Sequence, residues 1–290
     1  MKKSRKLAIL GICSALFLSL AACQQQHATS EGTSQRQSSS AKVPWKASYT
    51  NLNNQVSTEE VKSLLSAHLD PNSVDAFFNL VNDYNTIVGS TGLSGDFTSF
   101  THTEYDVEKI SHLWNQKKGD FVGTNCRINS YCLLKNSVTI PKLEKNDQLL
   151  FLDNDAIDKG KVFDSQDKEE FDILFSRVPT EATTDVKVHA EKMETFFSQF
   201  QFNEKARMLS VVLHDNLDGE YLFVGHVGVL VPADDGFLFV EKLTFEEPYQ
   251  AIKFASKEDC YKYLGTKYAD YTGEGLAKPF IMDNDKWVKL

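Results

Sequence analysis

Cysteine is sparse in this chain, with five in 290 residues. A small fold stapled by dense disulfides is therefore excluded. No pair of cysteines or histidines has zinc-finger spacing. His102, His112, His189 and His214 do not make a close metal set. Asp153-Asn154-Asp155 is a short acidic cluster without the rest of a calcium loop. There is no glycine-rich phosphate loop and no internal repeat, so neither a cofactor nor a bound metal is expected. Positive charge is in deficit. The formal net charge is −9, which repels nucleic acid and anionic lipid headgroups but not peptide or sugar substrates. The charge-free run from Leu7 to Leu20 is 14 residues, too short for a comfortable permanent span.

That run has another meaning. Lys2, Lys3, Arg5 and Lys6 precede it, and Leu20-Ala21-Ala22-Cys23 ends it. A basic start, an apolar stretch and small residues before a cut site read as a signal peptide over residues 1–22. The bland alternative is an ordinary signal with an incidental Cys. Leu-Ala-Ala-Cys resembles the lipobox of bacterial lipoproteins. That resemblance implies cleavage before Cys23 and acylation of its thiol by a diacylglyceryl group and a further fatty chain such as palmitate. Several chains give the stable anchoring that one cannot. The expected address is the outer face of the cytoplasmic membrane of a Gram-positive type cell, and the expected membrane partner is reached through lipid on Cys23. Losing the leader removes four positive charges and no negative ones, so the mature chain is still more acidic.

Residues 23–44 are rich in Gln and Ser, with almost no bulky apolar side chain. They cannot bury enough surface to fold and read as a disordered tether. Residues 45–290 are enough for one large α+β domain. The residues predict helices first. Ser57-Thr58-Glu59-Glu60 suggests a capping box, with Val56 stapled onto Val61. Val61, Leu64, Leu65 and Leu69 share a face, as do Val74, Phe77, Phe78 and Val81 in a second helix. A third is predicted over 106–117. Gly123-Thr124-Asn125 reads as a turn and cap, which places Cys126 in the first turn of a fourth helix. Leu149 to Leu152 suggests a strand, 169–178 a helix and 185–200 a stronger one. An antiparallel meander follows: strands over 208–213, 221–231 and 237–243, with turns at 215–219 and 232–236. Ser256 caps a late helix through Tyr263.

Cys126, Cys132 and Cys260 remain after the leader and Cys23 are set aside. An odd number in an exported chain leaves at least one free thiol. Cys132 and Cys260 fall on packing positions. Cys126 differs, because a helix N-terminus favours thiolate. A neighbouring imidazole would take the proton, and His226 in Gly225-His226-Val227-Gly228 could supply it. Gly225 and Gly228 would leave room for substrate. A third polar group must hold the imidazole tautomer. If Val231 pairs with Gly236 around a four-residue loop, Glu241 lies opposite His226. A slip of one residue would bring Lys242 there instead. The bland alternatives are a buried thiol, a core histidine and a solvated strand residue.

A Cys heading a helix, then His-Val-Gly-Val at a strand, then a polar residue one strand later resembles the papain-like core of NlpC-type bacterial cell-wall cysteine peptidases. The likeness covers roughly 120–265. It implies an α+β fold in which N-terminal helices pack against the meander sheet. It also implies Cys126 as nucleophile, His226 as base and Glu241 as orienting group. Asn125 and Arg127 flank the Cys where that family more often has Asp and Ser, and Glu241 stands where His, Asn or Gln is commoner. The separation of 100 positions from Cys126 to His226 implies an insertion at 137–205. Gly123-Thr124-Asn125-Cys126-Arg127 and Gly225-His226-Val227-Gly228 also resemble a lipoprotein family known as domain of unknown function 4300. The expectation is a monomeric, lipid-anchored thiol hydrolase acting on an amide bond, for instance in peptidoglycan peptides. The alternative is a non-catalytic lipoprotein that binds a ligand or protein.

Overall fold

The computed structural model describes residues 46–100 and 104–290. The leader, Cys23 and the tether lie outside them. No helix among the described residues is long and apolar enough to cross a membrane.

The first helices are α1 (Gln55–Ser66), α2 (Pro71–Val88), α3 (Val107–Lys118) and α4 (Cys126–Leu134). Each begins on a short polar side chain that accepts a hydrogen bond from the first turn: Asn54, Asp70, Asp106 and Asn125. The cap of α1 is thus Asn54 and not Ser57. Ser57 lies inside the first turn and is buried, while Val56 is 73 % exposed and staples nothing.

Between α4 and the meander come α5 (Phe151–Gly160), α6 (Ser165–Leu174) and α7 (Val186–Phe197). The strand predicted at 149–152 is instead a 3-10 turn, Gln148–Leu150, running into α5. Spacing decides this. Leu150, Asp153, Ala156 and Ile157 point inward at helical intervals, while Phe151 is 52 % exposed. The helix predicted at 169–178 starts earlier, on the Asp164 cap, and ends at Leu174. Leu150, Phe171, Leu174, Met193 and Phe197 join the same hydrophobic core as α2 and α4.

Strands β1 (Ala47–Thr50), β2 (Thr98–Ser99), β3 (Val138–Thr139), β4 (Val178–Pro179) and β5 (Gln201–Phe202) are short. The long ones are β6 (Arg207–Asp215), β7 (Tyr221–Ala233), β8 (Gly236–Lys242) and β9 (Tyr249–Phe254). Helix α8 (Lys257–Lys267), β10 (Phe280–Asp283) and β11 (Lys286–Val288) complete the chain. The main sheet runs β11-β10-β6-β7-β8-β9-β1-β2, with β4 pairing to β7, and its ladders are antiparallel. β3 and β5 form a separate ribbon. The architecture is α+β. Helices α1 to α7 share one hydrophobic core with Val227, Val229, Val231, Leu238 and Val240 on one face of the sheet, with α4 packed directly on β7 and β8. Helix α8 covers the other through Cys260 and Leu264, against Leu209, Leu230, Phe239 and Ile252.

Two irregularities place the site. The β7–β8 hairpin has a two-residue turn, Asp234-Asp235, because Ala233 pairs with Gly236. Gly236 takes φ +132° there, and a Cβ would lie 2.2 Å from the Phe254 carbonyl oxygen. Val229 therefore opposes Val240, and Glu241 falls two positions from the expected register. A slip of two keeps the face. The second irregularity is a bulge in β7. Val211 pairs with His226 while Val212 pairs with Val224, so Gly225 is extra. The bulge reverses the alternation, and His226 faces the α8 side.

Gly225 and Gly228 do not open space for a substrate. A Cβ at Gly225 would sit 2.3 Å from Leu213 Cδ1, and one at Gly228 would sit 2.3 Å from Phe239 Cζ and 2.8 Å from the Val240 carbonyl. The sheet itself fills both gaps. Gly228→Ala is expected to cost about 2 kcal/mol through overpacking. A thermal melt should read this as a Tm lower by roughly 6 °C; an unchanged Tm would show that Phe239 moves aside freely.

Candidate active site

The ladder with β4 covers β7 at Tyr221 and Leu222, and that with β8 begins at Val229. Between them this edge of β7 has no strand partner among the described residues, and α4 takes its place. Ser130 Oγ donates to the Val227 carbonyl (3.2 Å), and Arg127 Nη1 donates to the Val224 carbonyl (3.0 Å). The N-terminal end of α4 is thus held beside the bulge that carries His226.

Cys126 is the first residue of α4. Its thiol faces the His226 imidazole closely enough for each to shift the other's titration. The Nε2 atom of His226 lies 2.6 Å from Glu241 Oε2. An ionised carboxylate at that distance requires a proton on Nε2, which leaves Nδ1 for the sulfur. Glu241 is fixed in turn by α8. The Tyr263 hydroxyl donates to Oε1, Lys267 Nζ lies 3.6 Å from the same oxygen, and Lys267 also donates to the Tyr263 hydroxyl (2.8 Å). The Tyr268 ring stacks on the imidazole with centroids 4.8 Å apart and planes 23° apart. The structure therefore brings together the three residues singled out in the sequence. All three are enclosed: Cys126 is 5 % exposed, His226 1 % and Glu241 1 %.

Burial and charge oppose one another here. Burial pushes the Cys126 thiol up, but the His226 charge, its hydrogen bond and the Arg127 guanidinium outweigh it and hold the thiol below its ordinary value. Burial pushes His226 down. The Cys126 sulfur and then Glu241 outweigh that and hold it above its ordinary value. For Glu241 burial raises, whereas Lys267, His226 and Tyr263 lower, and the balance falls at about 2. Each shift favours a thiolate beside an imidazolium beside a carboxylate. The other thiols differ. Burial pushes Cys132 up to about 12 and Cys260 well above its ordinary value.

Lys242, one residue beyond Glu241, faces the opposite side of the sheet. It donates to the carbonyls of Thr244 (2.8 Å), Phe245 (3.1 Å) and Glu247, with the Tyr84 ring 4.2 Å from its ammonium. It ties down the β8–β9 loop and does not reach the imidazole's face.

Sequence reasoning passed over the supports of this cluster. Asp153 accepts from Arg127 Nε (2.9 Å) and Nη2 (2.7 Å), and from Asn125 Nδ2 (2.7 Å). The same Asn125 caps Ile128 N through its Oδ1 (3.1 Å). Tyr263 and Lys267 stand four apart on one face of α8, a spacing legible in the sequence. Their contact with Glu241, like that of Tyr268 with His226, depends on where α8 docks. Among the described residues no group of three His, Cys, Asp or Glu side chains is placed to hold a metal ion.

Fold and site together define an α+β protein with an enclosed Cys–His–Glu cluster where a helix end meets an antiparallel sheet. The family model described as Domain of unknown function (DUF4300) matches residues 48–288, and the chain belongs to that family. No curated protein and no solved structure gives a match.

Proposed function

We propose that this protein is a lipid-anchored thiol hydrolase with a papain-like, NlpC-type core, held by Cys23 at the outer face of the cytoplasmic membrane. It cleaves an amide bond, in peptidoglycan stem peptides or at the sugar–peptide junction. The observation that carries this reading is the buried series Cys126–His226–Glu241, in which thiol and imidazole shift each other's titration and His226 Nε2 lies 2.6 Å from the carboxylate, with the sulfur at a helix N-terminus. His226 Nδ1 takes the Cys126 proton. The thiolate attacks the amide carbonyl to form a tetrahedral oxyanion, and the Cys126 backbone N–H at the helix end helps to hold it. The imidazolium returns the proton to the leaving amine as the C–N bond breaks. Water, deprotonated by the imidazole, then releases the acid and restores the thiol. Glu241 keeps the proton on Nε2 throughout. Incubation with purified peptidoglycan, followed by mass spectrometry for new amine and carboxyl termini, tests the reaction. Unaltered muropeptides at any enzyme concentration would refute it.

The enclosure of Cys126 and His226 favours a second reading, a binding lipoprotein in which the cluster is structural. Alkylation separates the two. In the hydrolase, iodoacetamide labels Cys126 fast at neutral pH and with little dependence on pH, since the thiol is held below its ordinary value. An ordinary thiol would react roughly tenfold faster per pH unit below its own pKa, and that slope would favour the binding reading.

A further inference from the structure

The catalytic reading needs sulfur and imidazole at a fixed separation, yet they belong to different elements. Cys126 begins a helix, and His226 follows a bulge that adds one residue to β7. A bulged strand without a partner on one edge has no ladder to fix its carbonyls. One buried group reaches both sides. Asp153, fully buried on α5, accepts from Asn125, the residue before Cys126, and twice from Arg127, the residue after it. Arg127 then extends Nη1 to the carbonyl of Val224, two residues before His226. The planar fork lets one side chain bond the carboxylate bidentately and the strand at once.

We propose that Arg127, clamped by Asp153, is the positioning residue that brackets the nucleophile and its base. It holds the end of α4 against the β7 bulge so that the Cys126 sulfur meets His226 Nδ1, and it places a fixed positive charge beside the sulfur. Arg127 directs Nε, Nη1 and Nη2 to Asp153 and the Val224 carbonyl; it acts through Cys126 and His226. This inference rests on the thiol-hydrolase reading for its catalytic consequence.

The test uses the full chain and two readouts, one free of any substrate. Thiolate absorbance near 240 nm is titrated against a Cys126→Ser control, and kcat and KM are measured on purified peptidoglycan. For Arg127→Met the thiolate titration moves to higher pH, and kcat falls roughly 100-fold through misplacement with KM little changed. Arg127→Lys restores the positive charge without the fork, so its titration returns towards that of the parent while kcat remains at least tenfold down. Asp153→Asn, which removes the clamp's charge, lowers kcat in the same way. A folded Arg127→Met with parental titration and parental kcat overturns the proposal. If that variant does not fold, Arg127→Lys decides, and parental kcat there overturns it. Should Cys126→Ala retain full activity, the hydrolase reading falls. The thiolate titration would still judge whether Arg127 governs the Cys126–His226 pair.

Discussion

Cys126→Ala is expected to abolish hydrolysis of purified peptidoglycan while the protein stays folded. Removing a nucleophile that acts with its base as one unit costs on the order of 10⁴-fold or more. Little structure should be lost with it. Cys126 is one small side chain of the core, and Asn125, not Cys126, caps α4. The change removes one atom's contacts and leaves one ring nitrogen of His226 without its partner, about 2 kcal/mol in sum and well short of global unfolding. Product release by mass spectrometry and a thermal melt should therefore diverge, with the first lost and the second only modestly lowered. Retained turnover would remove the hydrolase reading. Parallel loss of folding would assign Cys126 to the core.

Glu241→Gln is expected to damage both chemistry and stability. The carboxylate is the counter-charge to His226 and sits against Lys267, with Tyr263 donating to it. An amide of the same shape keeps the volume but leaves two cations facing an uncharged group in an enclosed site. Breaking a buried pair from one side costs about 3 kcal/mol. The pH dependence carries a sharper signature. Glu241 stands at about 2 in the fold against an ordinary 4.5. Its stabilisation is fully present above 4.5 and is lost as pH falls from 4.5 towards 2, since the unfolded chain takes up the proton first. That acid limb amounts to about 3 kcal/mol. His226, held above its ordinary value, remains protonated over this range and does not cancel it. Urea unfolding at pH 7, 5, 4 and 3 should show the parent losing stability faster than Glu241→Gln below 4.5. Parallel curves would show that the carboxylate gains nothing from its partners. The same variant should lose on the order of 100-fold in kcat, because an amide no longer stabilises the imidazolium.

The sequence read well wherever a local rule operated. Polar caps and apolar spacing disclosed α2, α3 and α4, and with them the place of Cys126 at a helix start. The meander β6–β7–β8 was visible in its alternation and its turn residues. Legibility failed where two local signals competed. Leu149 to Leu152 carry a strand-like apolar run, yet the buried series Leu150, Asp153, Ala156 and Ile157 belongs to a helix. At α1 both Asn54 and Ser57 are good caps, and the Asn54 side chain reached Ser57 N first. Strands β1, β9, β10 and β11 escaped notice because they are short and take their partners from far along the chain, as Tyr49 does with Ile252. The hairpin loop came out two residues shorter than expected, since Gly236 admits a tight turn that few residues tolerate.

The amino-acid order by itself determined the parts: a helix opening on Cys126, a strand bearing His226 and a strand bearing Glu241 on a sheet face. These follow from side-chain period and capping, which act within a few residues. Only the folded chain decided that the three would touch. That depended on a one-residue bulge at Gly225, on the unpartnered edge of β7 that α4 fills, and on α8 delivering Tyr263 and Lys267 to the carboxylate. Each of these is a contact between segments tens to a hundred residues apart. Its energy appears only after the intervening chain has paid its ordering entropy, so nothing in the neighbouring sequence encodes it.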